Sequence, residues 1–291
     1  MRKYCLLLTT LCAAQYAIAQ TNTHSIPFHE TFQLSSNSLA DWDYSNNNNP
    51  IVVHNPDVGA YSVDSGSLMY NLFNPGSNHF VVNSPIVTST HKGGFKVSFD
   101  FAAAVRNVGP IRLPQDYAQD YLHIRSSRDS GTTFRSHAYH LIADTGYLNT
   151  GGIFASPFVP TEQQWMTVAD IKLPRGTHQV QFEIVRTNQN GTGNMAYLDN
   201  VRIDTCHTPM PTAAIVQYDS TFTALNQLTV TGDALKWYAT ETSYDTLAHT
   251  TPLVDSQYYY VTQTINGCES EPLAILFADT TTHNNDTNTS V

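Results

Sequence analysis

Regular alternation of apolar and polar residues is the feature that most limits how this chain folds. In residues 95–101 every second position is Phe or Val, with Lys, Ser and Asp between them. Residues 178–184 repeat the pattern with Val, Phe and Ile against Gln and Glu. A period of two places the apolar side chains on one face of a β-strand and the polar ones on the other. Both segments are therefore predicted to be half-buried strands.

Further strands are predicted at 121–125, 165–171 and 195–203, and Gly-containing turn signals such as Lys92-Gly93-Gly94 and Asn190-Gly191 separate the strands. No segment outside the N-terminus has a convincing amphipathic helical pattern. Many strands joined by short turns predict an all-β fold, either a sandwich or a jelly roll.

The segment after Cys206 contains prolines and reads as a linker between two domains. A second set of shorter strands follows at 235–238, 257–265 and 273–277. About 70 residues with short strands fit an immunoglobulin-like sandwich. We therefore predict a jelly-roll β-sandwich over residues 20–205, a smaller immunoglobulin-like β-sandwich over 206–279, and a disordered Thr/Asn-rich tail over 280–291.

The N-terminus has the three parts of a secretory signal peptide. Arg2 and Lys3 precede an apolar stretch, and Ala17 and Ala19 occupy the two positions that a signal peptidase reads. Residues 1–19 are therefore predicted to be removed on export. No second apolar stretch of about 18 residues follows, so no transmembrane segment is predicted.

The charge balance argues against some partners. The chain has 14 Lys and Arg against 24 Asp and Glu, and its formal net charge is −10 at pH 7. An acidic protein repels phosphate groups, so neither nucleic acid nor an anionic membrane surface is an expected partner.

Two of the four cysteines, Cys206 and Cys268, lie beyond the predicted signal peptide. In an oxidising compartment they are candidates for a disulfide, which would stabilise the fold by about 4 kcal/mol on the chain-entropy model. The alternative is a pair of buried free thiols.

Three ordered segments carry a resemblance to a known family. They are FHETF at 28–32, DYLHIRSSRDSGTTF at 120–134 and GNMAYLDNV at 193–201. Together they resemble the MAM-like jelly-roll domains of secreted modular surface proteins from Bacteroidetes-type bacteria. LKWY at 235–238 and YYYVTQTINGCES at 258–270 resemble the immunoglobulin-like repeats of the same proteins.

The resemblance implies a secreted or cell-surface protein, with the periplasm as the alternative location. It also implies a non-enzymatic binding or adhesion role toward a glycan or a surface protein. In such jelly-roll modules a structural calcium often ties the first strand to the last, and Glu30 and Asp199 match those two places. The alternatives are a surface carboxylate at Glu30 and a turn hydrogen bond at Asp199.

The residues themselves suggest one ligand-binding patch and no catalytic centre. Tyr117 and Tyr121 lie in and beside a turn-rich segment, where exposed rings would stack on a sugar; ordinary packing is the alternative. The sequence contains neither an H-E-x-x-H nor a G-x-S-x-G motif. A secreted hydrolase with an unrecognised carboxylate pair and a structural spacer remain the rival hypotheses.

Overall fold

A computed structural model describes residues 22–44, 52–73, 79–106, 120–142, 147–186 and 193–279. The predicted signal peptide, Tyr117 and the predicted disordered tail lie outside these ranges. Within them, no helix has both the length and the apolar character needed to cross a membrane.

The described residues form β-strands and a few single-turn 3-10 helices. The strands are β1 Thr23–Ser25, β2 Phe28–Glu30, β3 Val52–Asn55, β4 Ser67–Asn71, β5 His79–Asn83, β6 Ile86–Thr88, β7 Phe95–Arg106, β8 Asp120–Ser127, β9 Arg135–Ile142, β10 Ile153–Phe154, β11 Met166–Leu173, β12 Gln179–Arg186, β13 Gly193–Thr205, β14 Thr212–Ala213, β15 Val216–Tyr218, β16 Val230–Thr231, β17 Lys236–Tyr238, β18 Gln257–Thr262, β19 Thr264–Ile265, β20 Cys268–Glu269 and β21 Leu273–Ala278. The 3-10 helices are Leu39–Asp41, Ala60–Ser62, Glu162–Gln164 and Leu225–Gln227.

Two sheets face each other in the first part of the chain. One has seven strands in the order β10-β7-β13-β4-β3, with β11 paired to β7 and β2 paired to β13; the other has the order β5-β12-β8-β9. Phe99 on β7 meets Phe182 on β12 edge to face, with 5.2 Å between the ring centroids. Both rings are fully buried. The apolar faces predicted from the alternation therefore form the core of a β-sandwich.

The seven-stranded sheet is covered on its other face as well. Ala102 and Ala104 of β7 are buried there against Phe158, Trp165 and Tyr197. Both faces of β7 are apolar beyond Phe101. The second half of the strand, which ends at Arg106, therefore lacks the alternation that identified its first half.

The second part of the chain has its own sheet and its own core. Strands β15-β21-β18-β17 form a four-stranded sheet, and β14 pairs with β16. Trp237, Val261 and Ile275 are among the residues of a separate buried cluster. The all-β prediction is confirmed, while the immunoglobulin-like assignment and the division of the chain at Cys206 stay predictions.

A disulfide and two backbone hydrogen bonds join the two sandwiches. Cys206 and Cys268 are bridged, with 5.8 Å between their Cα atoms, so the predicted pairing is present. The Cys206 N–H donates to the Gly94 carbonyl at 3.0 Å, and the Gly94 N–H donates to the Glu269 carbonyl at 2.7 Å. The chain is therefore pinned on both sides of the bridge.

Arg175, in the β11–β12 turn, crosses the same junction. Its side chain is 1% exposed, lies 4.6 Å from the Tyr238 ring centroid, and donates to the Glu241 carbonyl. The neighbouring Gly176 has φ +73°, and a Cβ there would lie 2.1 Å from the Tyr244 ring. A glycine is thus required for the ring to rest on this turn.

Candidate functional site

The outward face of the four-stranded sheet of the first sandwich carries an ordered set of polar side chains. On β8 and β12 the residues between the core positions point away from the core, because successive side chains alternate. We call this surface the polar face; it comprises His79 of β5, Tyr121, His123 and Arg125 of β8, and Gln181 and Glu183 of β12.

Glu183 lies at the centre of the polar face. Its carboxylate is 2.9 Å from Nδ1 of His79, 3.3 Å from Nδ1 of His123 and 3.6 Å from Nη1 of Arg125. The register explains this meeting, since Glu183 pairs with His123 across the sheet. One carboxylate thus organises three nitrogen-bearing side chains from two neighbouring strands.

The Arg125 side chain is positioned by neutral hydrogen-bond acceptors as well as by the charge of Glu183. Its Nη1 donates to Oε1 of Gln181 at 3.0 Å, and its Nη2 donates to the Phe134 carbonyl at 3.1 Å. The guanidinium carbon lies 5.8 Å from the Phe134 ring centroid. The side chain is 30% exposed, so part of the guanidinium remains accessible from solvent while its orientation is fixed.

The hydrogen-bond network extends to both edges of the sheet. Gln181 donates to Asn83 at 2.9 Å, and Asn83 donates to Asp43 at 3.2 Å. On the other side, Nε2 of His123 lies 2.7 Å from Oγ of Ser136 on β9. These links explain why Gln181 and Glu183, expected on a solvent face, are almost completely buried.

Exposure differs strongly along the polar face. The His79 side chain is 62% exposed, whereas those of Glu183 and His123 are 10% and 9% exposed. Burial lowers the pKa of His123, and the opposing attraction of Glu183 does not reverse this. His123 is therefore expected to be neutral at pH 7, with ring nitrogens that serve as one donor and one acceptor.

The structure brings one of the two predicted tyrosines to this surface. Tyr121 is partly exposed and shares the face with His123 and Arg125. Its role in ligand binding stays a prediction, and Tyr117 lies outside the described residues. Sequence reasoning missed Glu183, His123 and Arg125 as a group, although the polar positions of β8 already recur with a period of two.

Glu30, one of the two predicted calcium ligands, is fully buried and well supplied with donors. Its carboxylate accepts hydrogen bonds from the Phe32 N–H at 2.7 Å and from the hydroxyls of Ser36 and Ser38 at 2.9 and 2.5 Å. The alternative of a surface carboxylate therefore does not apply at this position.

Asp199, the second predicted calcium ligand, is 1% exposed and accepts hydrogen bonds from the backbone N–H groups of Ala60 and Asn200. Burial raises its pKa to about 7, and the nearby Asp100 and Asp64 carboxylates add to the effect. Among the described residues, no three His, Cys, Asp or Glu side chains are grouped closely enough to hold a metal ion. Calcium also binds backbone and hydroxyl oxygens, so a calcium site here stays a prediction.

Comparisons with known proteins do not assign a family. No protein-family model and no curated protein matches the chain. Solved structures with some similarity include the K2 adhesin domain of Lys-gingipain, at 18% identity and a TM-score of 0.41, covering 61% of this chain and 99% of that one. The K3 adhesin domain of Lys-gingipain from Porphyromonas gingivalis is 15% identical, with a TM-score of 0.32 over 49% of this chain and 75% of that one.

A family 22 carbohydrate-binding module of Clostridium thermocellum xylanase 10B is 12% identical, with a TM-score of 0.34 over 61% of this chain and 92% of that one. Because all three TM-scores are below 0.5, these similarities establish neither a shared family nor a shared function.

Proposed function

We propose that this chain is a secreted, non-enzymatic binding protein of the cell surface or extracellular space, and that its polar face recognises a glycan. The observation that carries the proposal is the interlocked set of donors and acceptors around Glu183. A sugar presents many hydroxyl groups, each of which both donates and accepts hydrogen bonds. A surface that offers carboxylate, guanidinium, imidazole and amide groups in fixed positions matches that chemistry.

Fixed side chains matter because binding costs the entropy of every side chain that must be ordered. In the polar face that ordering is supplied by the fold, since Arg125 and Glu183 each contact several neighbours. Hydrogen bonds to their charged groups are also stronger than bonds between neutral groups. Tyr121 adds the edge or face of an aromatic ring at the same surface.

The arrangement favours binding over hydrolysis. Glycoside hydrolysis generally needs two carboxyl groups, about 5–9.5 Å apart on either side of the scissile bond. Among the polar-face residues defined above, Glu183 is the one carboxylate, and both of its oxygens contact neighbouring nitrogen atoms. We therefore assign no catalytic residue.

The proposal is tested first by exposing residues 20–291 to a glycan array and measuring each positive ligand by calorimetry. Arg125→Ala removes a charged donor, a change worth about 1.5–3 kcal/mol, and is expected to raise Kd by about ten- to a hundredfold. Arg202→Ala is the matched control, because Arg202 is an exposed arginine on β13 of the opposite sheet.

A second pair of variants tests the aromatic contribution. Tyr121→Ala is expected to weaken binding, while Tyr218→Ala removes a 63%-exposed tyrosine from β15 of the second sandwich and is expected to leave binding unchanged. Equal affinity of Arg125→Ala and wild type for every bound glycan would refute the assignment of the polar face. A blank array would favour a protein partner or a spacer role, and turnover of peptides or glycosides by the chain would favour a hydrolase.

A further inference from the structure

A cleft lies where the two sandwiches meet, and its lining is unusually cationic for this chain. We call it the seam cleft; its charged lining comprises Arg128, Arg135, Lys172, Lys236, Asp245 and Glu269. Its volume is about 400 Å³, which falls within the range of about 300–1,000 Å³ typical of small-ligand sites. Four of the 14 Lys and Arg residues of a chain with net charge −10 meet here.

The two arginines of the seam cleft lie close enough to repel each other. Burial lowers the pKa of Arg128, and repulsion from Arg135 lowers it further. The buried Nε of Arg128 has no hydrogen-bond partner among the described residues. The side chain of Arg135 is exposed and, within the same residues, makes no hydrogen bond or ion pair. Attraction from Glu269 opposes these effects but does not reverse the lowering of the Arg128 pKa.

One of the two carboxylates that line the cleft is already engaged by donors of the second sandwich. Glu269 accepts hydrogen bonds from Nζ of Lys236 at 2.9 Å, from the Tyr238 hydroxyl at 2.7 Å and from the Thr262 hydroxyl at 2.9 Å. These three donors use its two oxygens within the second sandwich. The arginines, which come from the β8–β9 hairpin of the first sandwich, therefore keep their donor capacity for a ligand.

The wall beside the arginines is rigid. The guanidinium carbon of Arg128 lies 4.9 Å from the Tyr244 ring centroid, and the same ring rests on the backbone of Gly176. Tyr244 thus contacts both the arginine and the turn, which helps to orient Arg128.

We propose that the seam cleft is an anion-binding site, distinct from the polar face, for a sulfate or carboxylate group carried by a sugar. A guanidinium group can donate two parallel hydrogen bonds to a pair of oxygen atoms, which both a carboxylate and a sulfate group present. The inference rests on the proposed glycan-binding function for its choice of ligand, but it concerns different residues. The cleft exists only where both sandwiches contribute, which makes the junction part of the site.

The experiment measures binding of residues 20–291 to low-mass dextran sulfate, to trigalacturonate and to neutral dextran by calorimetry at two salt concentrations. Dextran sulfate, trigalacturonate or both are expected to bind, more weakly at high salt, and neutral dextran is expected not to bind. Arg135→Ala is expected to raise Kd for the bound anion at least tenfold, and Arg135→Glu to abolish binding. Because Arg135 is exposed, both variants are expected to keep the wild-type melting temperature.

Arg202→Ala is the control, because it removes an exposed arginine from the opposite sheet, and it is expected to bind the anionic polymer as wild type does. A further readout is His137, which lines the cleft and whose pKa is lowered to about 4 by burial, by Arg128 and by His123. Bound anion is expected to raise that pKa in an NMR titration. The inference is overturned if Arg135→Ala binds the anion as tightly as wild type, or if neither anionic polymer binds. If Arg125→Ala lost binding of a neutral glycan while Arg135→Ala lost binding of the anion, the anion-binding site would be confirmed as separate from the polar face.

Discussion

Removing the disulfide is the perturbation whose size follows most directly from the structure. The double variant Cys206→Ala/Cys268→Ala opens a loop with a sequence separation of 62 residues. In the chain-entropy model this restores freedom to the unfolded chain and costs about 4 kcal/mol of unfolding free energy at 25 °C. Both cysteines are buried. Replacing each sulfur with hydrogen removes little apolar area, so the lost burial is expected to cost less than the lost loop closure. Most of the loss is therefore expected from the unfolded state.

The loss is expected mainly in the second sandwich, because the closed loop contains most of its strands. Guanidinium chloride unfolding, followed by tryptophan emission, measures the total change. Hydrogen exchange of peptides covering β18 then locates it, with peptides covering β7 as the internal control. Reduced wild type should match the double variant, and alkylation with mass measurement verifies the thiol state.

A decrease below about 1 kcal/mol in a variant shown by mass to lack the bridge would refute the entropic reasoning. So would a loss of equal size in β7 and β18, because the effect would then not belong to the closed loop. Two alkylatable thiols in unreduced wild type would show that the bridge itself does not form.

Three further predictions concern the first sandwich. Phe182→Ala is expected to cost about 3–5 kcal/mol, since the fully buried ring packs against Phe99, and Phe182→Leu should cost less in the same denaturant titration. Asp199 has a pKa of about 7 in the folded state against an ordinary value of 3.8, so it loses its proton at a lower pH when the chain is unfolded. The free energy of unfolding is therefore expected to fall by up to about 4 kcal/mol as the pH rises from 4 to 7. In chelator, Asp199→Asn should flatten that slope; an unchanged slope would contradict the assignment. If calcium binds at Glu30 and Asp199, added calcium should raise the melting temperature of wild type but not of Glu30→Gln, and no response in wild type would remove the calcium proposal.

The sequence predicted the strands whose two faces differ. The start of β7 and most of β12 were recognisable because one face meets the core and the other carries polar residues. The second half of β7 was not, since Ala102 and Ala104 are covered from behind and no alternation remains there. Alternation of apolar and polar residues appears only where one face of a strand is buried and the other is exposed, so it is lost where both faces are buried.

The candidate site was predictable only in part, because it depends on register. The alternation on β8 placed Tyr121 on a polar surface, but nothing in the sequence states that Glu183 lies opposite His123. The seam cleft depends on residues about 100 positions apart, such as Arg128 and Lys236, which only the docking of the two sandwiches brings together. The disulfide was predictable because only two candidate cysteines were left to pair.

A fixed spacing between the polar face and the seam cleft affects how a long ligand would bind to both. Where two binding modules are joined by a flexible linker, the second contact is governed by linker statistics and many spacings are tolerated. Here β8 carries Arg125 of the polar face and leads directly to Arg128 of the seam cleft, so the distance between these two arginines is fixed by one hairpin. The bridge and the Gly94 hydrogen bonds hold the wall of the cleft that the second sandwich supplies. Avidity would then be available only to polymers whose repeat fits that distance. This fixed geometry would thus select ligands by the spacing of their groups as well as by their chemistry.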